Sequence, residues 1–264
     1  MDWESRDCKG IEAAILHFNV ESGLPFLHYY SRENDFKRCE VLLKNGLDPN
    51  IRIQYGVNED VTPLMIACQF DCIDVAKTLL AYGADCNLTN SQGSTALHYC
   101  MFNNSPELVK LLIHSGAKVN VFTAERALWT AEFDCFLFET PLHLASSNGY
   151  LTCVEILVEA GADINSKRWD ERTPLMFASA FGQNEVVEYL CNKGADVSCR
   201  ANQKQYGIQT DYSALHFSAR NGHRGVYEIL LRFGANAMAI ECNTGMTAKE
   251  MLENYEASGD FLTR

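Results

Sequence analysis

Seven histidines and eleven cysteines are the residues of this 264-residue chain whose chemistry would be easiest to put to work. Histidine acts as a general base when a nucleophile and an orienting acid lie within reach, and cysteine acts as a nucleophile or metal ligand through its thiolate. Neither use finds its pattern here. His28, His98, His143 and His216 each follow a leucine in a phrase that recurs along the chain. That recurrence assigns them a structural role, bonding neighbouring loop backbone, rather than catalysis. His17, His114 and His223 have no Asp or Ser at a recognisable spacing, and there is no G-x-S-x-G, P-loop, G-x-G-x-x-G or H-E-x-x-H motif. Cys68 and Cys72 stand one helical turn apart, but no second pair follows at zinc spacing. An odd cysteine count and the absence of any C-x-x-C pair point to reduced thiols that serve as small apolar residues. No catalytic residue, metal or cofactor is expected.

Charge narrows the partners. A formal net charge of −12 argues against nucleic acid, because phosphate binding draws on clustered Lys and Arg, and it favours partners with a basic face. No apolar run approaches the ~18 residues of a membrane span, and the start Met-Asp-Trp-Glu lacks a signal peptide's basic and apolar regions. A cytoplasmic or nuclear location and no membrane insertion are expected. The sequon at Asn87 lies within a hairpin of such a chain, so it is not expected to carry a glycan.

The elements follow from the recurring phrase. It reads TPLMIACQFD from Thr62, TALHYCMFNN from Thr95, TPLHLASSNG from Thr140, TPLMFASAFG from Thr173 and SALHFSARNG from Ser213, and a Gly-Ala follows at Gly83, Gly116, Gly161, Gly194 and Gly234. Thr95 follows Thr62, and Thr173 follows Thr140, by 33 residues. Thr is a good helix N-cap, and the Pro after it sits where a missing N–H costs least. Before each Gly-Ala an apolar stripe recurs at helical spacing: Val75, Ala76, Leu79 and Leu80, then Leu108, Val109, Leu112 and Ile113, then Val186, Val187, Leu190 and Cys191. The glycine ends the second helix in a left-handed conformation. Each unit therefore reads as helix, short loop, helix, hairpin.

On these motifs the chain resembles the ankyrin-repeat family, which implies an all-α fold, a solenoid of helix-turn-helix repeats joined by β-hairpin loops. Residues 1–22 look like an N-terminal capping helix, with Ile11, Ala14, Ile15 and Phe18 at helical spacing. Residues 23–246 hold about six repeats, the first divergent, and 247–264 form a C-terminal capping repeat and tail with a polar outer face. Three departures from the period lengthen the hairpins, at 51–61, 121–139 and 199–212, so that extended fingers project along one edge. The longest carries Trp129, Phe133 and Phe136 at the spacing of a short amphipathic helix. These aromatics either pack on neighbouring fingers or anchor a ligand.

The resemblance implies a concave groove lined by hairpin tips and by the exposed end of each first helix. The helix positions are Gln69 and Phe70, Phe102 and Asn103, Asn148, Phe181, and Arg220 with Asn221; the finger positions include Glu59, Phe138, Trp169, Asp170, Arg172 and Tyr212. Phenylalanines in solvent-facing positions suit an extended peptide or a partner's helix. The acid pairs Glu59-Asp60 and Asp170-Glu171 are either solvated turns or contacts to a basic ligand. The expected function is a monomeric, non-enzymatic scaffold or adaptor that grips a peptide with a hydrophobic anchor beside Lys or Arg. A substrate receptor of a ubiquitin ligase, or a regulatory cytosolic domain of a larger protein, is the alternative, although no SOCS-box or F-box segment is evident. An enzyme is the remaining alternative, disfavoured by the missing catalytic constellation. Leu79, Leu112 and Leu157 lie eight residues before Asn87, Asn120 and Asn165, a pattern that resembles the substrates of the ankyrin asparaginyl hydroxylase; each of these Asn side chains is also expected to bond its own hairpin backbone.

Overall fold

A computed structural model describes residues 25–53, 60–123, 138–205 and 208–258. The expected capping helix at 1–22 lies outside the described residues, as do Glu59, Trp129, Phe133 and Phe136. The chain forms two compact units, one through Lys118 and one from Val119.

In the first unit, helices α1 (Phe26–Arg32), α3 (Pro63–Gln69) and α5 (Ala96–Tyr99, continued as a 3-10 turn to Phe102) alternate with α2 (Phe36–Lys44), α4 (Ile73–Ala81) and α6 (Pro106–His114). α1 packs on α3 and α3 on α5, while α2, α4 and α6 pack in a second row. The second unit repeats the scheme. There α7 (Pro141–Asn148), α9 (Pro174–Ala180) and α11 (Ala214–Arg220) form one row, α8 (Leu151–Glu159), α10 (Asn184–Asn192) and α12 (Arg224–Arg232) the other, and α13 (Ala248–Ser258) packs on α11. Strands β1 (Gln203–Gln205) and β2 (Ile208–Thr210) pair antiparallel in the third long hairpin. They lie within a loop, so the architecture is the all-α solenoid expected.

The apolar stripe is where the period put it. Val75, Ala76 and Leu79, Leu108, Val109 and Leu112, and Val186, Val187, Leu190 and Cys191 are buried, each large side chain contributing about 1.5–3 kcal/mol, while Leu80 and Ile113, at the edge of the stripe, are half-buried. Seven described cysteines are buried free thiols. Burial pushes the Cys153 and Cys191 thiols up to about 11, so they remain protonated.

The recurring histidine tightens each first helix. The Thr140 hydroxyl accepts the His143 N–H at 3.4 Å, while His143 Nδ1 lies 2.9 Å from that hydroxyl and accepts the Thr140 N–H at 3.2 Å. This is a reciprocal capping box in which the ring replaces the usual Glu. Because Nδ1 accepts a backbone N–H, the network assigns the proton to Nε2, which donates to the Arg172 carbonyl at 3.2 Å. Ser213 with His216, and Thr95 with His98, repeat the box. At α1 the capping residue is Pro25, with neither hydroxyl nor N–H, and the buried Nδ1 of His28 has no hydrogen-bond partner.

The hairpins are tied to one another by asparagine. Asn50 Oδ1 accepts the Asp85 N–H at 2.8 Å and its Nδ2 donates to the Gly83 carbonyl at 3.3 Å. Asn87 grips Lys118 and Gly116 in the same way, at 2.8 and 3.0 Å, and Asn120 grips Asp163 and Gly161 at 2.9 and 3.1 Å. Asn165 accepts the Asp196 N–H at 2.9 Å. The expectation that Asn87, Asn120 and Asn165 bond their own hairpin backbone is corrected: each bonds the next repeat. Gly161, at φ +88°, turns its carbonyl toward Asn120 in a conformation that other residues adopt at a cost. At the far end, Thr247 and Glu250 form a capping box, and α13 buries Ala248, Met251 and Leu252 beneath a polar outer face.

The neutral histidines make stability pH-dependent. Burial lowers His28 and His143 from an ordinary 6.5 to about 4, against hydrogen bonds that partly oppose it. Below pH 6.5 the unfolded chain takes up protons that the folded chain refuses, so stability present above 6.5 is lost as pH falls through about 4. Each histidine then contributes a slope of up to about 1.4 kcal/mol per pH unit. Urea midpoints are expected to drop between pH 6.5 and 4.5, with a shallower drop in His143→Gln; equal slopes in variant and parent would disprove this origin.

Candidate functional site

In the second unit, the hairpin between α8 and α9 is a tight turn that carries Arg168, Trp169, Asp170, Glu171 and Arg172. The Arg168 N–H donates to the Arg172 carbonyl at 3.0 Å and the Glu171 N–H to the Arg168 carbonyl at 2.9 Å, with Glu171 at φ 64°. The turn directs Asp170 and the Arg168 and Arg172 side chains that meet it to its buried side and leaves Trp169 half exposed.

The inward face is an ion network. Arg168 Nε and Nη2 donate to the two oxygens of Asp170 at 3.0 and 2.8 Å, a bidentate pair, while Arg168 Nη1 reaches Glu139 Oε1 at 3.0 Å. Arg172 Nε lies 3.2 Å from Asp170 Oδ2. Asp170 is 0% exposed. It was a candidate for contacting a basic ligand, and that role is corrected, because its charge is neutralised by the chain's own arginines. Burial pushes the Glu139 carboxyl above its usual range, opposed by Arg168.

Aromatic rings flank the guanidinium groups. Arg168 lies over Trp169 at 5.6 Å and over Phe177 at 5.4 Å, Arg172 over Phe217 at 4.9 Å, and Arg220 over Tyr212 at 5.6 Å. Tyr212 meets Phe217 edge to face, with centroids 5.4 Å apart, and is buried. Its expected place at a finger surface is therefore corrected: the ring is a platform under Arg220.

Trp169 is 49% exposed and Phe181, which ends α9, is 60% exposed. Asn221 is exposed at the matching end of α11 and donates to the Ala180 carbonyl at 2.9 Å, with His223 Nε2 on the same carbonyl at 3.0 Å. Asn148, at the end of α7, is exposed, and Phe138 is half-buried at φ 55°. In the first unit Phe70 and Phe102 are exposed. Arg32 lies over the Phe70 ring at 5.5 Å, Tyr99 lies 5.8 Å from Phe102, and Asn103 donates to the Gln69 carbonyl. The arrangement offers aromatic faces and guanidinium groups, a binding chemistry. Arg168 and Glu139 were missed from sequence, although Arg168, Asp170 and Arg172 carried a legible signal: charges at every second position of a hairpin.

A model described as ankyrin repeats in three copies matches residues 16–123 and 128–201, and one described as an ankyrin repeat matches 210–241. The chain belongs to the ankyrin-repeat family. Ankyrin repeats are a protein–protein interaction module and their fold is typically non-enzymatic. Ankyrin repeat and SOCS box protein 16 of Homo sapiens is 29% identical over 197 residues, 74% of this chain and 40% of that protein. The Drosophila melanogaster transient receptor potential cation channel subfamily A member 1 is 27% identical over 88% of this chain and 18% of its own length. Probable E3 ubiquitin-protein ligase XBOS32 of Oryza sativa subsp. japonica is 26% identical over 52% of this chain and 31% of its own length. The ankyrin chain thus spans two fifths or less of these relatives. The crystal structure of the human ASB11 ankyrin repeat domain superposes with a TM-score of 0.69 at 25% identity, covering 85% of this chain and 90% of that one. Among the described residues no helix is long and apolar enough to cross a membrane.

The ion network has a measurable worth. Asp170→Asn leaves two buried guanidinium groups short of a counter-charge and is expected to cost about 3 kcal/mol, whereas Glu171→Gln, which breaks only the exposed Lys167 pair at 2.6 Å, costs under about 0.5 kcal/mol. Urea denaturation checks both; equal losses would place the two acids in equivalent environments.

Proposed function

We propose that this chain is a non-enzymatic scaffold or adaptor that holds a peptide segment or helix of a partner protein against the hairpin tips and first-helix ends, with a hydrophobic side chain as anchor. The observation that carries this reading is the pair of exposed aromatics, Trp169 in the hairpin that leads into α9 and Phe181 at the C-terminal end of that helix. Aromatic anchors in a desolvated groove commonly contribute about 2 kcal/mol or more each. The charge of −12 supports a partner that also carries Lys or Arg, drawn in by long-range steering. The same reading takes the chain as a monomer of the cytoplasm or nucleus.

The similarity to Ankyrin repeat and SOCS box protein 16 and to the rice ligase supports a second reading, in which the segment held is a substrate brought to a ubiquitin ligase. The similarity to the Drosophila channel supports a regulatory part of a larger protein. Trp169→Ala and Phe181→Ala lie outside the inter-repeat stripe, so each is expected to keep the parent's thermal midpoint while losing about tenfold or more in affinity for the partner that the parent retains. If that partner is also ubiquitylated in cells only when the parent chain is present, the receptor reading holds over a passive scaffold. Undiminished binding by both variants would move the site elsewhere.

Hydroxylation of Asn87, Asn120 and Asn165 belongs to the same proposal, supported by the leucine eight residues before each. Because these amides bond the next repeat, the hairpin must open before an enzyme reaches the Cβ, so modification is expected to be partial. Mass spectrometry of the chain from cells containing the hydroxylase is expected to find these peptides carrying one added oxygen. Wholly unmodified peptides would count against it.

A further inference from the structure

The left-handed turn between the two helices of each repeat is where the two units differ in chemistry. Asn34, Asp71 and Asn104 hold it at φ 56°, 56° and 46° in the first unit, while Gly149, Gly182 and Gly222 hold it in the second. Asparagine and aspartate adopt this conformation more readily than other side chains, yet at more cost than glycine. Of these residues Asp71 alone is charged. It is exposed, and among the described residues its carboxylate has no hydrogen-bond donor and no cation.

Asp71 follows Phe70, which is 46% exposed at the end of α3. α3 packs on α5 and on the 3-10 turn that continues it, and the Asn103 side chain donates to the Gln69 carbonyl, so Phe102, 52% exposed, stands at the neighbouring helix end. On the other side Arg32, the last residue of α1, lies over the Phe70 ring and 3.9 Å from Glu33. Asp35 is committed to Arg38 at 2.6 Å. Burial raises the Cys72 thiol, a hydrogen bond to Asn34 opposes the rise, and the Asp71 and Glu33 carboxylates add to it. Two acids and one guanidinium therefore share these helix ends. Asp170 is neutralised by arginines of its own hairpin, and Asp71 is not.

We propose that the first unit carries a second peptide contact, in which a hydrophobic side chain seats against Phe70 and Phe102 and a Lys or Arg within two residues of it pairs with Asp71. The inference rests on the reading of first-helix ends as a peptide surface, and it assigns the partner's basic residue to one carboxylate. Charge complementarity names the occupant: an acidic segment brings like charges against Asp71 and Glu33, and a purely apolar one leaves Asp71 at a drying surface without a counter-charge. A Lys or Arg stem covers apolar surface while its head stays at the rim. Because Asp71 is exposed, the pair adds selectivity more than affinity, and the rings supply the affinity. A charge stands where glycine would hold the turn with less strain, a local rule broken beside two exposed rings.

The test uses the full chain with Trp169→Ala and Phe181→Ala combined, so that retention reports the first unit, and the parent beside it. Both are immobilised and offered pools of ten-residue peptides with a central Phe, Trp or Leu flanked by Lys and Arg, by Asp and Glu, or by Ser and Asn. A fourth pool keeps the basic flanks with Ala at the centre. The basic pool with its anchor is expected to be retained about threefold to fivefold above the neutral pool at about 0.15 M salt, and the acidic pool less than the neutral. Adding Asp71→Asn is expected to remove the preference at an unchanged thermal midpoint, since Asn34 and Asn104 hold the same turn. Asp71→Gly is the second variant should that one fail to fold. Glu185→Gln, which removes the same charge from an exposed site on α10, is expected to leave the preference intact, and Phe70→Ala to lower retention about tenfold. A preference unchanged by both Asp71 variants, or reduced equally by Glu185→Gln, overturns the assignment to Asp71. Equal or stronger retention of the neutral or acidic pool, retention of the basic pool without its anchor, or retention untouched by Phe70→Ala overturns the two-point contact. Retention by the parent but not by the Trp169 and Phe181 double variant overturns the first-unit contact and leaves the second-unit groove standing. Retention of no pool by the parent overturns the groove reading itself.

Discussion

Helices of seven to nine residues are too short to persist alone in water, because nucleating the first turn costs more than so few hydrogen bonds return. Everything in this chain depends on removing that weakness by contact between successive repeats. The stripe of Val75, Ala76 and Leu79 is buried because α4 packs on α3 of its own repeat, on α2 of the preceding one and on α6 of the next. The polar ties obey the same constraint: His143 reaches the following hairpin at Arg172, and Asn87 the following turn at Gly116. His28 and His143 satisfy backbone carbonyls of the following hairpin, and leaving such a group buried and unpaired would cost about 1–3 kcal/mol, whereas the asparagine ties lie at the exposed surface.

A backbone held by so few positions leaves the remaining ones free to vary, and those positions cluster at hairpin tips and at the ends of first helices. Pro25 shows the limit of that freedom. It gives up the capping box at α1, strands Nδ1 of His28, and is tolerated because Nε2 still reaches Val61 at 2.9 Å. Gly222 shows another limit: its φ is +70°, and a Cβ there would lie 2.0 Å from the Tyr255 ring that closes the second unit. Only glycine fits.

The elements were legible because they are periodic. Thr62, Pro63 and Gly83 mark helix starts and stops through local rules alone, and the stripes report burial through spacing. Several features of the site were not legible, since they depend on residues brought together from separate repeats. Nothing local pairs Glu139 with Arg168 across 29 residues, or turns Tyr212 inward onto Phe217. Asp170 misled because a charge in a hairpin is ordinarily solvated. The asparagine ties were placed in the right hairpins but on the wrong partner, because a side chain reaching the next repeat at 31 residues looks, in sequence, like one folding back on its own turn.

The hairpin at 168–172 inverts the usual distribution of residues, and the inversion has a cost. Charges lie inside, an indole lies outside, and a glutamate sits in the left-handed region, all within five residues. Buried ion pairs stabilise little compared with an apolar core of the same shape, so an apolar residue at 170 with a polar one at 169 would serve the fold better. The hairpin between α4 and α5 shows the contrast: Asn90 closes its turn through its own side chain, accepting the Gln92 and Ser94 N–H groups at 2.9 Å each, with Ser91 and Gln92 at its tip and no buried charge. Local rules are broken where a second requirement competes with stability. At this hairpin the broken rules expose an aromatic face and orient guanidinium groups beside it, and that face is the one assigned above to the proposed partner.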